Sequence, residues 1–296
     1  MSALHLIRPL ALCLAVSLAT PAVFAQTAQP AAKPQSAKKS KPAVKSQAPQ
    51  KPAPAQQPYE PSVGQEGKDV VWVPTPQSLV DKMLDIAKVT PDDFLMDLGS
   101  GDGRTVITAA KRGLRAVGIE YNPDMVELSK RNAAAAGVSD KATFMKADLF
   151  ETDFSKADVI TMFLLPTINM KLRPTILNLK PGTRIVSNTF TMEDWQADET
   201  ATVTDDCTSW CTALLWIVPA KVEGTWQHPN GELKLTQQFQ MVSGTLGSTP
   251  ISEGKLRGNE LTFTVGNEKY AGRVDGNTIR GSAPATNGSG WTATKR

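Results

Sequence analysis

Asp97-Leu98-Gly99-Ser100-Gly101-Asp102-Gly103-Arg104 is the stretch that decides the fold. The apolar run Phe94-Leu95-Met96 before it reads as the end of a strand, and Thr105-Val106-Ile107-Thr108-Ala109-Ala110 after it reads as a helix. Glycines at alternate positions let the backbone turn sharply and let a ligand lie against bare peptide groups. The order is D-x-G-x-G-x-G, not the G-x-G-x-x-G of a nicotinamide-binding unit. An acid at the strand end suits a ligand bearing an amine better than a pyrophosphate. The next strand, Val117-Gly118-Ile119-Glu120, ends in a carboxylate placed to take both hydroxyls of a ribose. A third acid, Asp148, follows the strand-like run Thr143-Phe144-Met145-Lys146-Ala147. Three acid-bearing strand exits on one sheet edge make a nucleoside site. The competing readings are a nicotinamide-binding unit and a strand-turn-helix that holds no ligand.

The surrounding pattern supplies the sheet. Strands are expected at 94–98, 115–120, 142–147, 157–164 and 183–190, alternating with helices at 103–112, 123–136 and 167–179. An earlier helix carries Leu79, Val80, Met83, Leu84 and Ala87 at helical spacing, with Ser78 or Thr75 able to cap it. Pro123 suits the first position of its helix, and Gly137 suits the end of it. Two more strands, about 200–206 and 211–218, complete the sheet as a hairpin. The fold class is therefore α/β: a Rossmann-like, doubly wound, mostly parallel seven-stranded sheet. Beyond Pro219 the texture changes to short alternating runs such as Glu260-Leu261-Thr262-Phe263-Thr264-Val265, separated by turn pairs such as Asn230-Gly231 and Asp275-Gly276. A small antiparallel β module, a sandwich or barrel, is expected over 221–296. It would pack on its neighbour, recruit a substrate or bind an apolar ligand.

The chain of 296 residues begins with a targeting pattern. His5 and Arg8 precede an apolar run from Pro9 to Leu18, and Ala22-Val23-Phe24-Ala25 offers small residues where a signal peptidase reads. The expectation is a Sec-type signal peptide over 1–25, cut after Ala25, and a periplasmic or secreted product. An uncleaved anchor is the alternative. The run is short for a membrane span, so no stable span is expected after cleavage. Residues 26–66 form an expected disordered linker rich in Ala, Pro and Lys, with six lysines between Gln26 and Pro58 and neither acid nor aromatic there. Because no aromatics interleave those charges, they read as a solvated spacer and no nucleic-acid partner is expected. The net charge of +3 comes largely from this segment. The main domain is expected over 67–220.

Cysteine and histidine prune the chemistry. After cleavage only Cys207, Cys211 and His228 remain, too few for a histidine-rich metal site or a Ser-His-Asp arrangement, so no metal is expected. Cys207 and Cys211 are close enough for a local disulfide in an exported chain, or are two buried thiols.

DLGSGDGR at 97–104, GIEYNP at 118–123 and KADLF at 146–150 resemble the cofactor motifs of class I S-adenosylmethionine-dependent methyltransferases. Val73-Pro74-Thr75, the strand exit Met162-Phe163-Leu164-Leu165-Pro166, the strand ending Ser187-Asn188, and Trp195 are similar to the mitochondrial protein-lysine methyltransferases of the ATP synthase c subunit and the adenine nucleotide carrier. The resemblance covers about residues 70–196 and implies S-adenosyl-L-methionine as cofactor and a protein lysine as acceptor. It places Asp97, Gly99, Ser100, Gly101, Glu120 and Asp148 at the cofactor. Asp97 would orient the cofactor's amino group, Glu120 would hold the ribose, and Asp148 the adenine amino group. Thr75, Phe163, Leu164 and Pro166 would face the substrate, with buried core as the rival reading for Phe163 and Leu164. No residue stands out as a catalytic base. S-adenosylmethionine is made in the cytoplasm, so an exported chain also admits a non-catalytic binding or scaffold protein that keeps this fold.

Overall fold

The computed structural model describes residues 59–282 and 290–296. The expected signal peptide and cleavage site, and the linker as far as Pro58, lie outside the described residues. Residues 59–66, expected to belong to that linker, are part of the folded body instead. Gly64 N donates to Trp72 O at 2.8 Å, Trp72 N returns a bond to Gln65 O at 2.9 Å, and Arg131 donates to Tyr59 O at 3.1 Å. Composition alone hides this, because the partners of the segment lie far along the chain.

A seven-stranded sheet forms the first lobe: β1 (Phe94–Leu98), β2 (Arg115–Glu120), β3 (Ala142–Lys146), β4 (Val159–Met162), β5 (Arg184–Asn188), β6 (Glu199–Thr202) and β7 (Thr212–Ile217). The spatial order is β3-β2-β1-β4-β5-β7-β6, with the first five strands parallel and β7 antiparallel to both neighbours. The chain runs outward from β1 to β3 and then returns to lay β4 beside β1. That reversal opens a crevice at the carboxyl ends of β1 and β4, where open α/β sheets bind ligands. Register puts Asp97 of β1 opposite Gly118 of β2 on one side and Thr161 of β4 on the other.

Four helices cover the two faces: α1 (Gln77–Ile86), α2 (Arg104–Lys111), α3 (Pro123–Ala135) and α4 (Pro166–Ile176). α3 starts as its sequence dictates. Pro123 sits in the first turn, Asn122 accepts a hydrogen bond from Asp124 N at 2.9 Å, and Asp124 faces the positive end of the helix dipole. α1 does not. Its N-terminal flanking residue is Pro76, and neither Thr75 nor Ser78 caps it. The Thr75 hydroxyl accepts from Asn188 Nδ2 at 3.3 Å, and the Ser78 hydroxyl donates to Asp205 O at 2.8 Å. Tertiary partners have taken both candidate caps. The inner strands β1, β4, β5 and β7 are buried on both faces, one core holding Leu79, Leu84 and Val106 and the other Ile160, Trp195 and Trp216.

The second lobe is a closed eight-stranded barrel, built from β8 (Gly224–His228), β9 (Gly231–Gln238), β10 (Met241–Leu246), β11 (Thr249–Arg257), β12 (Glu260–Val265), β13 (Glu268–Asp275), β14 (Thr278–Ser282) and β15 (Trp291–Lys295). Buried and exposed residues alternate along β12 and β13, so every second side chain points inward. Trp226, Phe263, Tyr270 and Trp291 fill the interior, Phe263 and Tyr270 stacking at 5.0 Å between centroids. Those rings occupy the space an apolar ligand would need.

The lobes interlock. Phe239 stacks on Trp195 at 5.8 Å, with the Arg173 guanidinium 5.2 Å from its ring centre, and Gln240 donates to Gln196 O at 2.8 Å. Ala220 N donates to Gly258 O at 2.9 Å. Gly258 has φ +61, and a Cβ there would sit 3.0 Å from the Gly182 Cα, so this contact favours glycine and would strain any side chain.

Candidate cofactor and acceptor site

The crevice is a cavity of about 470 Å³. Asp97, Gly99, Ser100, Gly101, Glu120 and Asp148, the six positions expected at a cofactor, all line it. Gly99, Gly101 and Gly103 have φ of +79, +54 and +83, so the loop takes a path side-chain-bearing residues resist. A Cβ on Gly101 would lie 2.7 Å from Trp72 Nε1, and one on Gly103 2.7 Å from the Phe144 ring. The loop's own peptide groups are tied down, Gly99 N and Ser100 N donating to Ile119 O at 2.9 and 3.0 Å. Ser129 Oγ donates to Gly101 O at 2.8 Å and Asn132 Nδ2 to Asp102 O at 2.9 Å, so α3 braces the same loop.

The three acids differ in environment. Asp97 is buried and accepts from Thr161 Oγ1 at 2.6 Å. Burial pushes its carboxyl up to about 7, against the opposing pull of the Thr161 bond, and the charges of Glu120 and Asp102 add to the rise. A cation brought alongside would relieve that penalty. Glu120 receives Gly101 N on Oε2 and Asn122 N on Oε1, each at 2.9 Å. Asp148 receives Phe150 N at 2.9 Å and is paired with the Lys68 ammonium, which holds it below the usual carboxylate range. Lys68 belongs to a strap, residues 64–72, that lies along the cavity, and its ammonium also sits 4.8 Å from the Tyr121 ring centre.

The expected substrate residues divide. Thr75, Phe163 and Leu164 line the cavity. Leu164 is buried against Gly99, while Phe163 is half-buried and stacks on Phe190 at 5.7 Å. Pro166 does not line it: as the first residue of α4 it serves the helix start, and Leu165 takes its place at the wall. Cys207 and Cys211 are joined, with Cα atoms 5.8 Å apart. Their loop brings Trp210 to the cavity, 6.0 Å edge-on to Phe163.

Sequence reasoning missed Lys68, Trp72, Arg104, Phe190 and Trp210. Arg104 lies inside the quoted motif, yet its work is structural: it pairs with Asp102 and donates to Thr75 O at 2.7 Å, fixing the entry to α1. Phe190 ends the expected fifth strand and lies just past the observed β5, and an aromatic there was the available signal.

The residues present fit a nucleoside that carries an amine-bearing chain. Glycines clear the loop, Glu120 faces the cavity with lone pairs to spare beyond its two backbone bonds, and the buried Asp97 has no cation beside it among the described residues. No helix among the described residues is long and apolar enough to cross a membrane.

Comparison with known proteins agrees. The family described as the ANTKMT methyltransferase domain matches residues 97–199. A protein-lysine N-methyltransferase of Saccharolobus islandicus is 45% identical over 139 residues, which are 46% of this chain and 86% of that protein. A Mus musculus lysine N-methyltransferase of the ATP synthase c subunit is 32% identical over 163 residues, 55% of this chain and 64% of its own length. Among solved structures, an RNA methyltransferase from Salinibacter ruber in complex with S-adenosyl-L-homocysteine is 47% identical, covering 51% of this chain and 96% of that one with a TM-score of 0.47.

Proposed function

Because the chain belongs to the protein-lysine N-methyltransferase family of class I S-adenosylmethionine-dependent methyltransferases, we propose that it methylates the ε-amine of a lysine in a protein substrate. One observation carries the reading: three acid-bearing strand exits, Asp97, Glu120 and Asp148, share a single cavity that Phe163 and Leu164 also line. Asp97 would hold the amino group of the cofactor, Glu120 the ribose hydroxyls, and Asp148 the adenine amino group. When bound, S-adenosylmethionine supplies an electrophilic methyl carbon: the amine nitrogen bonds to it, the carbon–sulfur bond breaks with its electron pair left on sulfur, and the surplus proton on nitrogen goes to water.

Such a displacement needs alignment and a neutral amine more than a strong base. The apolar wall at Phe163 and Leu164 desolvates a lysine that enters there, and desolvation favours the uncharged amine. Calorimetry on the purified full chain should show binding of S-adenosylhomocysteine and none of NAD. Tritium from methyl-labelled S-adenosylmethionine should enter material that protease degrades and ribonuclease does not. Cofactor binding without transfer would favour the scaffold reading, and label lost to ribonuclease would make RNA the acceptor.

We also infer export. The short apolar run, the Ala22 to Ala25 site and the Cys207–Cys211 cross-link support an oxidising compartment. Fractionation should recover a periplasmic form that begins at Gln26; a full-length cytoplasmic product would overturn this.

A further inference from the structure

Trp210 lies outside the residues that the family match covers. Its loop, residues 203–211 between β6 and β7, is closed at the base by Val203 N donating to Cys211 O at 2.9 Å and cross-linked by Cys207–Cys211. Ser78 Oγ ties Asp205 O to the start of α1. Asp206 and Trp210 both sit in the left-handed region, with φ of 53 and 55. Residues with side chains stay there only where their surroundings hold them, and a cross-link beside both supplies that hold. Trp210 is 44% exposed, although it lines the cavity. It meets Phe163 edge-on, and Phe163 stacks on Phe190, so three rings form a contiguous aromatic run along the cavity. Asp205 and Asp206, both exposed, put two carboxylates on the same loop.

We propose that Trp210 determines acceptor specificity: with Phe163 and Phe190 it forms an aromatic collar that receives the methylene stem and amine of the target lysine, and the Cys207–Cys211 disulfide holds the indole in the collar. This rests on the lysine-methyltransferase reading above. Aromatic faces attract an ammonium and shelter an aliphatic stem, and the two loop carboxylates draw in a basic segment. Inside the collar the amine sheds water before transfer. Two-electron, two-proton reduction by a dithiol yields two thiols and an oxidised dithiol, and releases Trp210 from its left-handed backbone. The cofactor acids stand at the exits of β1, β2 and β3, apart from the cross-linked loop, so cofactor binding is indifferent to its redox state.

The test uses the full chain with two readouts, S-adenosylhomocysteine affinity by calorimetry and tritium transfer to the proteins of an extract from cells lacking this chain. Trp210→Ala and the double variant Cys207→Ser/Cys211→Ser should bind S-adenosylhomocysteine within about twofold of the unaltered chain and transfer at least about tenfold less label. Trp210→Phe should recover most of the transfer, since it restores an aromatic face. Dithiothreitol should lower transfer by the unaltered chain as alkylation reveals two new thiols, and should not change the double variant. Transfer by Trp210→Ala at the unaltered level overturns the proposal. So does Trp210→Phe as poor as Trp210→Ala with affinity also lost, which marks a folding role. An unaltered chain that binds S-adenosylhomocysteine but labels no protein sinks the collar and the lysine reading together and leaves the cofactor site standing. One that binds no S-adenosylhomocysteine removes the cofactor site as well.

Discussion

Glu120 Oε2 accepts a hydrogen bond from Gly101 N at 2.9 Å, so the exit of β2 clasps the glycine loop that follows β1. The same carboxylate holds Asn122 N, which begins α3. One side chain therefore ties the glycine loop to the start of α3.

Replacing that carboxylate by an amide keeps the size and removes the charge. Glu120→Gln can accept from only one of the two backbone donors and turns an NH₂ toward the other. Hydrogen bonds to charged groups contribute about 1.5–3 kcal/mol, so S-adenosylhomocysteine affinity should fall at least tenfold, with the circular dichroism spectrum retained. Calorimetry checks it, and unchanged affinity in a folded variant would remove Glu120 from the site.

Asp97 gives a pH dependence of definite sign. Its folded pKa of about 7 lies above the unfolded value, so the folded state binds the extra proton. Ionisation costs stability, nothing below the unfolded pKa and up to about 4 kcal/mol once pH exceeds 7. Asp97→Asn still accepts from Thr161 and removes that cost. Its melting temperature should exceed that of the parent at about pH 8 and converge with it toward acid. Cofactor affinity should behave oppositely: the parent binds more tightly as pH rises through 7, whereas the variant binds weakly at every pH. A parent with flat affinity across this range would show that Asp97 does not meet the amino group.

Gly258→Ala should loosen the junction between the lobes. An alanine at φ +61 costs about 1 kcal/mol in backbone strain alone, and its methyl would press on the Gly182 backbone. Calorimetric scanning should show a melting temperature lower by several degrees; equality with the parent would mean the contact gives way freely.

Lys68→Ala removes an exposed ion pair, which typically contributes little to stability. The melting temperature should stay within about one degree, yet release of S-adenosylhomocysteine should quicken about threefold or more, because nothing then ties the strap to Asp148. Stopped-flow displacement measures it. Equal release rates would show that the strap does not gate the cavity.

The gathering of Asp97, Glu120 and Asp148 around one cavity was legible because each acid follows a short strand-like run, so local pattern places all three on one edge without knowledge of the sheet. The seven-stranded, mostly parallel sheet followed from alternating strands and helices, down to the closing hairpin, whereas the order of its strands came only from the structure. Lys68 was not legible: its partner is Asp148, 80 residues away. The caps expected from Thr75 and Ser78 failed for a similar reason, as Asn188 and Asp205 claim both hydroxyls from across the chain. Barrel and sandwich share one alternating pattern, and only the pairing of β15 with β8 decides between them.

That pairing also limits how a partner can dock. Among the described residues, each barrel strand has a paired neighbour on both sides, which leaves a foreign strand little edge to extend. In the seven-stranded sheet the outermost strands are β3 and the four-residue β6. Among the described residues, a protein that associates with this chain by backbone pairing would find those two borders at the sheet, and one that engages the barrel would read mainly side chains.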